Sequence, residues 1–182
     1  TSDAVLDLIK QNKIQLDTPL LKLLPNIPKP EDARIEQITV GDLLLHRAGF
    51  NRTGLMGDEM FRSGQTPFCP SSLQRLAQTQ LSFDPNTTYS YSNLGYCLLG
   101  EAVAAQTQMS FQGEIEKKYA LAENGIQFLD NQRKEDEAKY LYVETSLTGY
   151  GNIYTAFDFP ALASSAGLSG SAGGSARERL RL

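Results

Sequence analysis

One stretch, residues 84–103, DPNTTYSYSNLGYCLLGEAV, limits what this chain can fold into more than any other. Asp84-Pro85-Asn86 followed by two threonines is turn chemistry. Ser92 and Asn93 then stand where a helix begins, and an apolar run follows at helical spacing. The pattern predicts a helix from about Ser92 to Gln106 with a buried stripe of Tyr96, Leu99, Gly100 and Val103. Taken alone, Tyr91 and Asn93 read as a packed aromatic and a helix cap, because asparagine is among the best N-caps.

The flanking sequence carries further helix signals. Residues 1–14 place Val5, Leu8 and Ile9 at i, i+3 and i+4, with Thr1, Ser2 or Asp3 as the cap. A proline-rich connector follows between Pro19 and Pro30, anchored by Leu20, Leu23 and Leu24. In ITVGDLLLHRAGF, Thr39 and Asp42 have the spacing of a capping box, and Gly49 is a natural left-handed stop. Residues 50–69 read as irregular. PSSLQRLAQTQLSF reads as a capped helix with Leu73, Leu76 and Ala77 on one face. Ser110 caps another amphipathic helix, running to about Leu121, with Phe111, Ile115 and Tyr119 at near-helical spacing. Residues 130–139 read as a solvated charged surface.

Bulk properties exclude several functions. A net charge of -4 provides no basic field, so no nucleic-acid partner is expected. The apolar runs are far shorter than a membrane span requires, so no membrane segment is expected. A single histidine and two cysteines without CxxC spacing leave no zinc site, and no cofactor is implied. Cys69 and Cys97 lie in dissimilar contexts and could form one bridge or none; buried free thiols are the preferred reading. Of the last 22 residues, ALASSAGLSGSAGGSARERLRL, fourteen are Ala, Gly or Ser. Such a segment is either a mobile tail or a tight turn that needs a partner. Domain limits of 1–160 and 161–182 follow.

Three stretches in this order resemble the serine β-lactamase-like and penicillin-binding-protein-like hydrolases, specifically the class C, carboxypeptidase and esterase branch. AVLDLIKQNKIQLDTPL is similar to the helix and connector that follow the nucleophile. ITVGDLLLHRAGF is similar to that family's ITIRHLLTHTSGL segment. DPNTTYSYSNLGYCLLGEAV is similar to PGTxFxYSNxGYxLLGxxV, the second catalytic motif. The more distant AGLSGSAGGSAR resembles a later GGLxSTAxDLAR segment, with Gly174 where an aspartate usually stands.

The resemblance implies a serine that forms an acyl-enzyme with a small-molecule acyl substrate: a β-lactam, a D-alanyl peptide or a small ester. It makes Tyr91 the acid/base tyrosine and Asn93 the positioning amide, with Ser92 turned away from the cleft. His46 would be a packing residue. The fold implied is mainly α: the helical lobe of the α/β serine β-lactamase-like fold, with little or none of the sheet lobe. A β-rich segment near 141–155 would hold any short strands or hairpins. The family's Ser-x-x-Lys and its Lys-Thr-Gly or His-x-Gly motif do not occur in the 182 residues, so the catalytic serine and lysine are absent. The lysine would stand a few residues before Thr1, and the start reads as the middle of a longer chain. The chain alone is therefore expected to be inactive. Self-association or pairing with a complementary lobe is expected, as is periplasmic or secreted localisation. The alternative is a non-catalytic helical binding or scaffolding domain derived from the same family.

Overall fold

A computed structural model describes residues 1–51, 69–128 and 172–174. The elements are α1 (Ser2–Lys10), α2 (Leu20–Leu23), α3 (Val40–Leu44), α4 (Asn93–Thr107), α5 (Phe111–Tyr119) and two strands, β1 (Ile126–Phe128) and β2 (Ala172–Gly174). Two 3₁₀ turns, Ala33–Gln37 and Leu73–Gln78, precede α3 and α4, and a third, Ala122–Asn124, follows α5. β1 and β2 pair antiparallel, Ile126 opposite Gly174 and Phe128 opposite Ala172. The described part is thus the expected helical lobe, with one minimal strand pair. β2 falls inside the stretch read as a tail. The β-rich segment near 141–155 and the charged run at 130–139 lie outside the described residues, as do 52–68 and most of 161–182.

The helix starts follow local chemistry. The Thr39 hydroxyl accepts from the Asp42 amide, and the Asp42 carboxylate accepts from the Thr39 amide and hydroxyl, which closes the capping box that opens α3. Thr39→Ala removes the hydroxyl half of this exchange and leaves the Thr39 amide on the Asp42 carboxylate, and a loss of about 1 kcal/mol in urea unfolding is expected. Ser92 caps α4 by accepting from the Gly95 amide at 3.0 Å, and Ser110 caps α5 by accepting from Gly113 at 3.0 Å. Asn93, an equally good cap by residue type, is instead the first residue inside the helix.

Two expected features change in three dimensions. Residues 73–78 form a 3₁₀ turn rather than a capped α-helix; Ser72 has φ -144° and ψ 51° and makes no side-chain cap. Only Leu76 and Ala77 of this turn are buried, too little apolar surface to hold a longer helix. The stripe expected on α4 is too narrow as well. Leu94, Cys97, Leu98, Leu99, Ala102 and Val103 are all buried, because α4 is the central helix, packed by α1, α2, α3 and α5.

The preferred reading of the cysteines is corrected. Cys69 and Cys97 are joined by a disulfide, with Cα atoms 6.1 Å apart. Their dissimilar sequence contexts conceal a fold in which the chain doubles back and sets the segment just before the Leu73–Gln78 turn against the second turn of α4.

The connector anchors hold: Leu20, Leu23 and Leu24 are buried. A surface tether joins the ends of the lobe, where Lys118 of α5 pairs with Asp3 and Asp7 of α1.

Candidate functional site

The site is made from two loops that the sequence separates by almost forty residues. After α3 the chain turns through His46-Arg47-Ala48-Gly49-Phe50. The backbone of that turn receives the run that leads into α4. The Gly49 carbonyl accepts from the Ser82 and Phe83 amides at 3.0 and 3.3 Å. The Arg47 carbonyl accepts from Asn86 at 2.8 Å, and the His46 carbonyl accepts from Ser90 at 2.8 Å. Gly49 has φ +90°, and a Cβ there would meet the Phe83 carbonyl oxygen at 2.3 Å. Only glycine allows this approach. The two motifs read separately in the sequence are therefore one structural unit.

At the end of the run, the Tyr91 hydroxyl donates to the Asn93 side-chain oxygen at 3.2 Å. Tyr91 is 43% exposed, and Asn93 is half-buried. Ser92 between them is buried and caps α4, so the residue expected to face away does so. Two phenol- and amide-bearing side chains thus share one side of the helix mouth. A phenol can exchange a proton, and a carboxamide offers both a donor and an acceptor.

An aromatic cluster backs this pair. The His46 ring stacks on Tyr96, with centroids 4.7 Å apart, lies 4.5 Å from the Tyr91 ring, and meets Tyr89 edge-on at 5.9 Å. Tyr96 donates to the Leu44 carbonyl at 3.2 Å, and its hydroxyl is 3.1 Å from that of Ser2. The N-terminal turn of α1 therefore abuts α4 one turn beyond Asn93. His46 does pack, as expected. It also does what the sequence reading missed: Nδ1 accepts from the Ser92 amide at 3.1 Å. Burial lowers its pKa below the ordinary 6.5, which favours the neutral ring that can accept. The signal available in the sequence was a lone imidazole inside one of the matched segments.

Other features lie elsewhere. A depression between α1, α4 and α5 is lined by Ala4, Asp7, Leu8, Val103, Thr107 and Lys118, without Tyr91 or Asn93. Among the described residues no group of His, Cys, Asp or Glu could hold a metal ion, and no helix is long and apolar enough to cross a membrane.

Comparison with known proteins places these observations in a family. The Beta-lactamase family model matches residues 1–121. A Dichelobacter nodosus protein whose name assigns it to fimbrial assembly (FimD, serogroup D) is 40% identical over 174 residues, covering 94% of this chain and 43% of its own length. The crystal structure of a β-lactamase/D-alanine carboxypeptidase from Yersinia pestis, complexed with citrate, superposes with a TM-score of 0.62 at 20% identity, over 98% of this chain and 48% of that one. The octameric penicillin-binding protein homologue from Pyrococcus abyssi gives 0.52 at 25% identity, over 69% of this chain and 30% of that one. The chain spans less than half the length of these relatives. Its two converging loops, its helical lobe and the matched family model agree: the chain belongs to the β-lactamase-like family of serine hydrolases.

Proposed function

We propose that these residues form the helical lobe of a serine hydrolase that works through an acyl-enzyme on a β-lactam, a D-alanyl peptide or a small ester. Tyr91 is the acid/base tyrosine, and Asn93 is the amide that positions lysine and substrate. The observation that carries this reading is the Tyr91–Asn93 hydrogen bond at the accessible mouth of α4, 3.2 Å long. The contact of Ser2 with Tyr96 supports it, since it brings the N-terminal end of α1, where the family's Ser-x-x-Lys helix would join, beside the same mouth. The serine is a weak nucleophile until a base takes its proton; lysine does so, with the Tyr91 phenol relaying a proton to the leaving group. The Cys69–Cys97 bridge favours an oxidising compartment, periplasmic or extracellular.

The test has two arms. A fluorophosphonate or a β-lactam leaves no stable adduct on the 182-residue chain by intact mass, because no Ser-x-x-Lys is present. In a reading frame extended to include that motif, the adduct appears on its serine, and Tyr91→Phe slows acylation by roughly 10²-fold or more. An adduct on the 182-residue chain, or an unchanged rate in the variant, contradicts the assignment. The apolar face that a sheet lobe would cover favours self-association or pairing of the isolated lobe, and a monodisperse monomer by light scattering counts against that.

A second reading is a non-catalytic domain that keeps the cleft. The fimbrial-assembly name of the 40% identical relative favours it. It requires reversible ligand binding without turnover in the extended protein.

A further inference from the structure

We propose that His46 is a positioning residue: its neutral imidazole holds the Ser92 amide, fixes the Tyr91–Asn93 pair, and releases it on protonation. The inference rests on the reading of that pair as functional. Ser92 lies between the two side chains, so fixing its backbone nitrogen fixes the point from which both project. The restraint comes from one residue twice over. His46 Nδ1 accepts from the Ser92 amide at 3.1 Å, and the His46 carbonyl accepts from the Ser90 amide at 2.8 Å. Alternate amides of the run preceding α4 are thereby tied to a single residue of the α3 loop.

The ring faces confine Tyr91 as well. The imidazole lies between the rings of Tyr91 and Tyr96, at 4.5 and 4.7 Å. Tyr96 is itself anchored through its hydroxyl to the Leu44 carbonyl. The stack is thus referred back to α3 rather than left to slide.

The backbone supports the same conclusion. His46 has φ +55°, in the left-handed region, which costs a non-glycine residue free energy. Asparagine, aspartate and histidine are the side chains most often found there. The conformation carries the ring out of α3 and under Ser92. With Nδ1 accepting, the ring proton is on Nε2. Protonation gives Nδ1 a hydrogen, and two N–H groups would then face each other. The titratable groups around the ring are the phenols of Tyr89, Tyr91 and Tyr96, and the adjacent Arg47 sends its guanidinium to the Asn86 carbonyl. Burial alone accounts for the lowered pKa; among the described residues no carboxylate raises it.

Asparagine separates positioning from bulk packing. Its Oδ1 occupies the position of Nδ1, it tolerates the left-handed backbone, and it does not titrate. The experiment follows the Ser92 amide by NMR hydrogen exchange on the 182-residue chain, as protection relative to the unstructured rate. In the unaltered protein, protection falls about tenfold between pH 8 and pH 5, the equivalent of one hydrogen bond. His46→Asn keeps protection at both pH values, whereas His46→Leu loses it at both. Imidazole ¹⁵N shifts at pH 8 place the proton on Nε2, a readout that needs no variant and survives any failure of His46→Leu to fold. The inference is overturned if His46→Leu retains Ser92 protection, if His46→Asn loses it with falling pH as the unaltered protein does, or if the neutral ring carries its proton on Nδ1. None of these readouts depends on whether Tyr91 moves a proton in catalysis; that fails separately, in the acylation rate of Tyr91→Phe.

Discussion

Opening the Cys69–Cys97 bridge lowers the unfolding free energy by about 3.5 kcal/mol, the chain-entropy value for cross-linking residues 28 apart. For a domain of this size, that is a fall in Tm of roughly 10 °C. The loop it closes contains the Leu73–Gln78 turn and the whole run from Leu81 to Ser92 that carries Tyr91. Both cysteines are fully buried, so the bridge joins core to core rather than surface to surface. The entropy is removed from the unfolded chain, and the native packing of α4 against α3 does not require the covalent bond. The expected outcome is thus a destabilised lobe with its helices retained. Thermal unfolding by circular dichroism, with and without a phosphine reductant and in the Cys69→Ala/Cys97→Ala double variant, measures it. Free thiols titrating in the native, unreduced protein would remove the bridge from the account.

Asp32→Ala is expected to cost about 2–4 kcal/mol, because it takes the carboxylate acceptor from the buried Leu81 amide and from the Arg34 guanidinium. The carboxylate is 8% exposed. It accepts from the Arg34 amide at 3.0 Å, from Arg34 Nε at 2.9 Å and from its terminal nitrogen at 2.7 Å, and from the buried Leu81 amide at 3.0 Å. Arg34 continues to the Leu81 carbonyl at 2.7 Å and to Asp84 at 2.9 Å. Asp32 therefore ties the Ala33–Gln37 turn to the start of the Tyr91 run. Asp32→Asn, which keeps an acceptor of the same shape, is expected to lose about half as much.

The same network predicts a pH dependence. The Arg34 guanidinium, helped by the Leu81 and Arg34 amides, holds the Asp32 carboxyl well below its ordinary 3.8. Its folded-state pKa is depressed, so the stabilisation is fully present above 3.8 and is lost as pH falls toward the folded value. Urea midpoints at pH 6 and pH 3 converge between the unaltered protein and Asp32→Ala. A variant that matches the unaltered protein at pH 6 would show that the carboxylate contributes nothing.

How much was legible beforehand divides along the range of the interactions. Thr39 with Asp42 and Ser110 with Gly113 concern groups a few residues apart, and the side-chain chemistry at those positions settles them; Gly49 does not stop α3, which ends at Leu44, five residues earlier. The Leu73–Gln78 turn departs from the expected α-helix because its apolar spacing is helical, while burial, which spacing cannot report, is confined to Leu76 and Ala77. The expected face of α4 is too narrow for the same reason, since a helix packed by four others exposes only a thin side to solvent, around Ala105.

The sequence by itself determined where α1, α3, α4 and α5 start, that the chain is mainly α, and that Tyr91 and Asn93 flank a helix mouth in the pattern of a hydrolase family. Those properties follow from residue chemistry within a turn or two of chain. Only the tertiary structure decided that Cys69 meets Cys97, that Asp32 holds Leu81, and that His46 lies beneath Ser92. Each joins residues 28 to 49 positions apart. Whether such groups meet depends on how the helices pack around α4, a property of the whole chain's burial that no local run of residues encodes.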